Sequence, residues 1–315
     1  MRAHQLAIIS TLLLLPITYH IAPSNVASHA RLSPSIEIDG LNRSYTLHTP
    51  VGDHEKEVYP LIIALHGGGG TAKSMVRLTQ GRFNRIANRD GAYVVYPEAI
   101  RRHWNEGRDL PISFAHRNNV NDVGFIRQLI TSLINNHPID PERVFVTGMS
   151  NGGLMAYKLA CAMPEMITAI APVTATIPKD ILADCSNVGG TGLMIVNGTE
   201  DPYMPYQGGT ISILGADRGE VISTGKTVNH WLLQNGCPVH SEKRMMPNTV
   251  RQDETTVTQY LYSGCESGVK VALYRVEGGG HTWPGGRQYL REDRVGKTSK
   301  DFNACEEIWQ FFERF

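Results

Sequence analysis

The sequence feature that most constrains the fold is an apolar strand that runs into a serine turn between two glycines and continues directly into a helix. Residues 143–156 read RVFVTGMSNGGLMA, and residues 154–160 are compatible with a helix. Gly148 and Gly152 flank Ser150 in the pattern G-x-S-x-G, and their lack of side chains lets strand and helix pass close together. In this context the pattern predicts a nucleophile elbow, with Ser150 as the nucleophile.

Apolar runs alternate with helix-compatible stretches along the rest of the chain. The remaining predicted strands cover residues 61–65, 93–97, 167–173, 193–197, 255–262 and 269–276. The remaining predicted helices cover a stretch that ends at Arg89, then residues 123–135 with Asp122 as cap, 225–235 and 304–312. Residues 36–49 alternate apolar and polar around an Asp-Gly turn, which predicts an antiparallel hairpin. These patterns predict an α/β fold, a mostly parallel sheet with an antiparallel N-terminal edge and helices on both faces.

Charge and length limit the classes of protein that the chain can represent. Lysine plus arginine and aspartate plus glutamate both number 30, so the formal net charge is zero. The sequence has neither a surplus of basic residues nor a charged block, so its charge does not indicate binding to nucleic acid or to a membrane surface. Its 315 residues are enough for a large core, and no linker or change in composition marks a second domain.

The N-terminus differs from the rest of the chain. A short basic start is followed by an apolar run over residues 6–17, and small residues precede and include Ala30. This pattern predicts a signal peptide over residues 1–30, cleaved after Ala30, and a secreted or periplasmic mature protein. The single predicted catalytic domain then spans residues 31–315.

The five cysteines follow the predicted signal peptide, in a chain expected to reach an oxidising compartment where disulfides form. Several pairings are open, and proximity in sequence favours Cys161–Cys185 and Cys237–Cys265, which leaves Cys305 free. None of the spacings is C-x-x-C, and neither H-E-x-x-H nor a calcium-loop spacing occurs. We therefore expect no metal and no cofactor.

A serine nucleophile needs a base and a group that orients the base, and both candidates follow predicted strands. His281 comes after three glycines at the end of strand 269–276, and Asp201 follows strand 193–197. The order Ser150, Asp201, His281 is that of the α/β-hydrolase triad. The simpler interpretations are a turn aspartate before a proline and a surface histidine, and Glu200 is the rival of Asp201.

The oxyanion that forms during attack requires backbone N–H donors. We expect one from Asn151 and one from the glycine run 67–70, with Gly68 favoured although the sequence does not separate it from its neighbours. Residues 67–74 nearly spell a phosphate-binding loop, but Ala72 stands where the second glycine belongs. Trp104 and Trp283 lie on predicted loops, and either an aromatic wall for the acyl group or simple packing accounts for them.

Seven motifs carry a family resemblance: LHGGGG (65–70), WNEGR (104–108), NDVGFIRQLI (121–130), GMSNGG (148–153), GTEDPYMPYQGG (198–209), NHWLLQNGC (229–237) and GGGHTWPGG (278–286). Together they resemble the secreted esterase family of polyhydroxybutyrate depolymerase-like and feruloyl esterase-like enzymes, related to carbohydrate esterase family 1. The resemblance implies an α/β-hydrolase fold, the triad Ser150, Asp201 and His281, and the pairings Cys161–Cys185 and Cys237–Cys265.

Two departures from the family pattern bear on the substrate. The chain shows neither the linker nor the surface-binding domain of depolymerases that attack solid polymer, and Asn121 stands where the family often has an acidic residue. We therefore expect a serine esterase for soluble oligoesters or for feruloyl or acetyl esters, which acts on a small or oligomeric ester without nucleic acid or membrane. A serine peptidase of the same fold and a non-catalytic glycan-binding module remain the alternatives.

Overall fold

The computed structural model of the chain describes residues 34–52, 54–266 and 268–315. The predicted signal peptide, residues 1–30, and its cleavage after Ala30 lie outside these residues. Among the helices of the described part, none has the length and apolarity needed to cross a membrane. The described residues all belong to one unit of the chain, which runs from residue 33 to residue 315.

Strands and helices alternate over most of the described chain. In chain order the strands are β1 (Ser35–Ile38), β2 (Leu41–His48), β3 (Tyr59–Leu65), β4 (Tyr93–Pro97), β5 (Ile139–Met149), β6 (Ala169–Val173), β7 (Gly192–Gly198), β8 (Gly209–Ile213), β9 (Ala216–Val221), β10 (Glu242–Met245), β11 (Thr256–Tyr262) and β12 (Val271–Glu277). The α-helices are α1 (Ala72–Leu78), α2 (Arg82–Asp90), α3 (Phe114–Arg117), α4 (Asp122–Asn136), α5 (Asn151–Ala162), α6 (Thr224–Gln234), α7 (Glu292–Val295) and α8 (Ala304–Phe312).

The central sheet has the strand order β1-β2-β4-β3-β5-β6-β7-β12-β11-β10 among the described residues. The strands from β4 to β12 in this order pair in parallel. The antiparallel pairs β1–β2 and β2–β4 form the predicted N-terminal edge, so the predicted fold class is confirmed. Strands β10 and β11 add a second antiparallel edge, which the sequence analysis did not predict.

Helices cover both faces of the sheet because the central strands are apolar on both sides. In β3, Leu61, Ile63 and Leu65 pack in one buried layer, with residues of α4, α5 and α6. Ile62 and Ala64 point into the other layer, with residues of α1, α2 and α8. The parallel arrangement places the carboxyl ends of β3, β5, β7 and β12 at one edge of the sheet.

Two predicted boundaries change in the structure. The helix-like stretch that ends at Arg89 is two helices, because Gln80 and Gly81 adopt left-handed backbone angles between α1 and α2. The separate hairpin of β8 and β9 was missed because its strands, GTISI and ADRGEV, contain too few apolar residues for a clear alternation.

The prediction that Asp122 caps helix α4 is wrong. The capping residue is Asn121, whose side chain accepts a hydrogen bond from the backbone N–H of Gly124. Asp122 is instead buried and accepts hydrogen bonds from the Arg43 guanidinium at 2.5 Å and from the Asn105 backbone N–H at 2.7 Å. Burial raises the pKa of Asp122, and the charge of Arg43 opposes that shift.

Removal of Arg43 should destabilise the fold because it leaves the buried Asp122 carboxylate without its counter-charge. We expect Arg43→Ala to lower the free energy of unfolding by about 3–5 kcal/mol. Urea unfolding followed by circular dichroism measures the change. Arg127→Ala is the matched control, because the Arg127–Glu165 pair is exposed and such pairs contribute at most about 1 kcal/mol. A loss in Arg43→Ala no larger than in the control would contradict this account of the pair.

Candidate active site

Ser150 lies in a strained turn between strand β5 and helix α5. Its backbone angles are φ 55° and ψ −121°, a region that residues with a side chain rarely adopt. A Cβ atom on Gly148 would lie 2.5 Å from the Gly152 carbonyl oxygen, and one on Gly152 would lie 2.5 Å from the Leu65 carbonyl oxygen. Only glycine therefore fits at either position, and the turn presents Ser150 at the carboxyl end of β5.

Asp201 and His281 meet at the same edge of the sheet, after strands β7 and β12. The Nδ1 atom of His281 lies 2.7 Å from an Asp201 carboxylate oxygen, and both side chains are almost fully buried. The other carboxylate oxygen of Asp201 accepts the backbone N–H groups of Tyr203 and Met204, each at 2.8 Å. These bonds fix the Asp201 carboxylate. Because the carboxylate accepts a hydrogen bond from Nδ1 of His281, the ring proton lies on Nδ1 and Nε2 is left as an acceptor. Glu200 is exposed.

Ser150 and His281 line one cavity of about 260 Å³ together with the glycine run 67–70 and Tyr289. Within the described part of the chain, no hydrogen bond joins the Ser150 hydroxyl to His281. Hydrogen bonds between catalytic groups are often long before substrate binds. The lack of this bond therefore does not argue against Ser150 as nucleophile and His281 as base.

The glycine run lies beside the first turn of helix α5. The backbone N–H groups of Gly69 and Gly70 donate to carbonyl groups of the protein, so these two are not available to a substrate. Gly68 lines the cavity with Ser150, and a Cβ atom on it would lie 3.6 Å from the Asn151 Cβ. The N–H of Asn151 is at the helix N-terminus, where it has no partner within the helix and where the helix dipole favours negative charge.

The prediction that Trp104 and Trp283 form an aromatic wall of the cleft is wrong. Both side chains are fully buried, and neither borders the cavity that contains Ser150. The indole N–H of Trp104 donates to the His66 carbonyl oxygen at 2.9 Å, which ties the loop after β4 to the end of β3. Trp283 packs against Phe83 in the layer formed with α2. Packing, the simpler interpretation, accounts for both residues.

The structure contains two disulfides, with the pairing that the family resemblance implies. Cys161 is bonded to Cys185 and Cys237 to Cys265. Cys305 carries a free, buried thiol, whose pKa burial raises well above its ordinary value. A thiol that stays protonated in the core is neither a nucleophile nor a metal ligand.

Comparison with known proteins shows that the chain is similar to esterases. The family model described as Esterase PHB depolymerase matches residues 43–186. "Putative esterase NocK" of Nocardia uniformis subsp. tsuyamanensis is 29% identical over 299 residues, which are 91% of this chain and 83% of that protein. Feruloyl esterase B of Piromyces equi is 25% identical over 245 residues, 76% of this chain but only 42% of that protein. The chain is an esterase with the α/β-hydrolase fold.

A solved structure agrees with this fold. Acetyl xylan esterase from Aspergillus awamori superposes on the esterase with a TM-score of 0.55 and 14% identity, over 87% of this chain and 94% of that chain. At this identity the likeness concerns the arrangement of strands and helices alone. It is consistent with the parallel sheet described above.

A buried ionic cluster that the sequence analysis missed supports the serine turn of the esterase. Glu106 is fully buried and accepts hydrogen bonds from Arg108, from His116 at 2.9 Å and from the Asn151 side chain at 2.8 Å. Burial alone would raise the pKa of Glu106, but the charge of Arg108 and the bond from His116 lower it to about 2. The signal in the sequence is weak: in the motif WNEGR, Glu106 stands two residues after a large aromatic residue and two residues before Arg108, a possible counter-charge.

The same cluster is the one group of metal-ligand type found among the described residues. Ligand atoms of His103, Glu106 and His116 lie within 4.8 Å of one another. The Glu106 carboxylate, however, is already occupied by three donors, and the Arg108 guanidinium in direct contact would repel a cation. These residues therefore fit an ion-paired cluster better than a metal centre.

Two histidines, the buried His66 and the half-buried His103, flank the glycine run. Burial lowers the pKa of His66 and of His103 to about 4, although a backbone bond opposes the shift in His66 and Glu106 opposes it in His103. His66 accepts the Ala99 N–H on Nε2 at 3.1 Å, so its Nδ1 carries the proton that it donates to the Gly67 carbonyl oxygen. Both rings are therefore neutral at physiological pH.

Histidines that the folded chain keeps neutral make stability depend on pH. Because their pKa falls from 6.5 in the unfolded chain to about 4 in the folded one, unfolding takes up protons between these values, and stability is lost as pH falls through that window. His103→Gln should reduce the slope of unfolding free energy against pH by about 1.4 kcal/mol per pH unit there. Urea unfolding at several pH values measures the slope. His240→Gln, at an exposed position, should keep the parent slope, and an equal slope in both variants would refute the assignment.

Proposed function

We propose that this esterase cleaves carboxylic esters through an acyl-enzyme intermediate on Ser150, with His281 as general base and Asp201 as its orienting partner. The observation that carries the proposal is the bond from His281 Nδ1 to Asp201 at 2.7 Å, at a cavity that Ser150 also lines. Three separate loops at one sheet edge supply the three side chains. Chance rarely combines a strained serine, a buried histidine and a buried carboxylate in one place.

In the first half-reaction His281 Nε2 accepts the Ser150 hydroxyl proton while the Ser150 oxygen bonds to the ester carbonyl carbon. The carbonyl oxygen becomes an oxyanion, and the N–H groups of Asn151 and Gly68 stabilise it. The intermediate then collapses, the bond to the leaving oxygen breaks, and His281 transfers its proton to that oxygen. The products are an alcohol and the acylated serine.

In the second half-reaction water replaces the alcohol. His281 accepts a proton from the water as its oxygen attacks the acyl carbon, and the same N–H donors stabilise the second oxyanion. Cleavage of the bond to Ser150 returns the proton to the serine oxygen and releases the carboxylic acid. Asp201 keeps its charge throughout and stabilises the imidazolium that forms in each half.

The substrate class follows from the family match and from the names of the relatives. We infer an enzyme for soluble hydroxybutyrate-type oligoesters or for feruloyl or acetyl esters, contained in one catalytic domain over residues 31–315. The two disulfides support export to an oxidising compartment, secreted or periplasmic, after cleavage of a signal peptide over residues 1–30.

The nucleophile is tested with a fluorophosphonate probe, which reacts only with activated serines. We expect the parent protein to be labelled on the peptide that contains Ser150, and Ser150→Ala to lose both labelling and hydrolysis of 4-nitrophenyl butyrate. Mass spectrometry of the labelled peptide identifies the site. Ser186→Ala, at an exposed serine, should be labelled like the parent. A parent protein that hydrolyses esters without labelling would rule out a serine mechanism.

The orienting acid is tested by a matched pair of neighbouring substitutions. Asp201→Asn keeps the shape of the side chain but presents a neutral amide to His281, so kcat should fall by about 10³- to 10⁴-fold. Glu200→Gln, at the adjacent exposed carboxylate, should retain kcat close to the parent value. Steady-state hydrolysis of 4-nitrophenyl butyrate measures both. The assignment fails if Glu200→Gln is the variant that loses activity.

A further inference from the structure

A second, larger cavity opens beside the serine. It has a volume of about 750 Å³, and Ser150, Asn151 and His281 form part of its wall together with Gly68. The reacting groups of the proposed mechanism therefore border this cavity as well as the smaller one. A ligand that fills it lies directly against Ser150.

Arginines from three separate parts of the chain surround this cavity. Five arginines of the lining form no ion pair with any residue that the structure describes: Arg101, Arg102, Arg117, Arg218 and Arg294. Arg101 and Arg102 lie in the loop after β4 and Arg117 at the end of α3, all within the segment between β4 and α4. Arg218 lies on β9, and Arg294 lies on α7. Because the chain as a whole has zero formal net charge, this concentration is a local property of the cavity.

Glu98 interacts electrostatically with Arg102, but its carboxylate is not part of the cavity lining. No aspartate or glutamate is among the described residues that line the cavity. The Arg101 guanidinium lies over the Phe114 ring, 4.6 Å from its centroid, and Arg117 donates to the Pro111 carbonyl oxygen. Arg108 also lines the cavity, but its guanidinium is paired with Glu106 and is not counted with the five.

The backbone holds part of this set in place. Arg101 and Arg102 both have positive φ, 47° and 63°, which costs free energy at residues with side chains. The Arg102 carbonyl oxygen accepts the Gly69 N–H at 2.8 Å, so this strained pair is attached to the glycine run beside Ser150. The backbone of both arginines is thereby held beside the cavity.

Much of the remaining wall is apolar. Leu154, Met204 and Ile211 are buried side chains of this wall, and Leu290 is an exposed one. A hydrocarbon chain or ring of a ligand fits such a surface, whereas the arginines would repel a ligand with a positive charge. The cavity therefore combines an apolar wall with a positively charged rim.

We infer that the preferred substrate of this cavity is an ester that also carries a free carboxylate on an apolar chain or ring. The inference rests on the proposed function, because it places the ester carbonyl at Ser150. A planar guanidinium offers two parallel N–H donors that match the two oxygens of a carboxylate, and such bonds are about twice as strong as neutral ones. A neutral ester of the same length fills the apolar wall but leaves the arginines without an anion.

Matched pairs of esters test the inference. On the acyl side, mono-4-nitrophenyl suberate, with its free carboxylate, is compared with 4-nitrophenyl octanoate. On the alcohol side, 4-carboxyphenyl butyrate is compared with 4-methylphenyl butyrate. We expect kcat/KM to be at least about tenfold higher for the carboxylate member of one pair or both. Raising NaCl from about 20 mM to about 500 mM should shrink this ratio because salt screens exposed charges.

Arginine substitutions identify the source of the preference. Arg218→Gln and Arg294→Gln, alone and combined, should lower the ratio of kcat/KM within the preferred pair, with the larger loss in the double variant. Arg251→Gln removes the same charge from an exposed position outside the cavity lining and should keep the ratio.

Equal kcat/KM for the members of both pairs, or a ratio that neither salt nor the arginine variants change, would overturn the inference. Failure of the proposed mechanism has a different signature. If hydrolysis of the neutral esters and fluorophosphonate labelling survive in Ser150→Ala, the serine assignment is wrong. If Ser150→Ala abolishes both while the carboxylate has no effect, only the charge preference is wrong.

Discussion

The close backbone contact between the serine turn and the end of strand β3 is the constraint on which the site depends. The Cα of Gly152 faces the Leu65 and His66 carbonyl oxygens so closely that a Cβ would lie 2.5 and 2.6 Å from them. This contact brings the first turn of α5 beside the glycine run that follows β3. As a result Asn151 and Gly68 lie next to each other, and their N–H groups can serve one oxyanion. A single methyl group at position 152 would separate the two segments.

Buried polar groups also fix the serine turn on the side that faces the loop after β4. The Asn151 side chain exchanges hydrogen bonds with the Trp104 backbone, accepting its N–H at 2.8 Å and donating to its carbonyl oxygen at 3.2 Å, and it also donates to Glu106. Glu106 is in turn fixed by Arg108 and His116. A buried charge in such a network is costly to leave unpaired, so the loop after β4 cannot move away from α5 without a large penalty. Rigid support of this kind is what precise oxyanion donors require.

The parts of the site that depend on local pattern were predictable from sequence. Ser150, Asp201 and His281 each follow an apolar strand, and parallel strands end at one edge of the sheet, so their convergence followed from strand order. Trp104 was misassigned because a loop position says nothing about burial, and its indole is enclosed by contacts that only the tertiary structure creates. Asp122 was misassigned for the same reason, since its partner Arg43 is 79 residues away in sequence.

The charge around the larger cavity shows the limit of sequence patterns most clearly. Arg102, Arg218 and Arg294 are far apart in the chain and belong to a loop, a hairpin strand and a short helix. Neither the total charge nor the charge runs of the sequence predict that these arginines lie together. The chain is neutral, and each arginine resembles an ordinary solvated residue. Only the fold, which attaches the arginine-bearing loop to the glycine run and directs the hairpin toward the serine, places them around one space. In the proposed mechanism the triad accounts for the type of bond that is cleaved, and in the proposed substrate preference the electrostatics of this space select among esters.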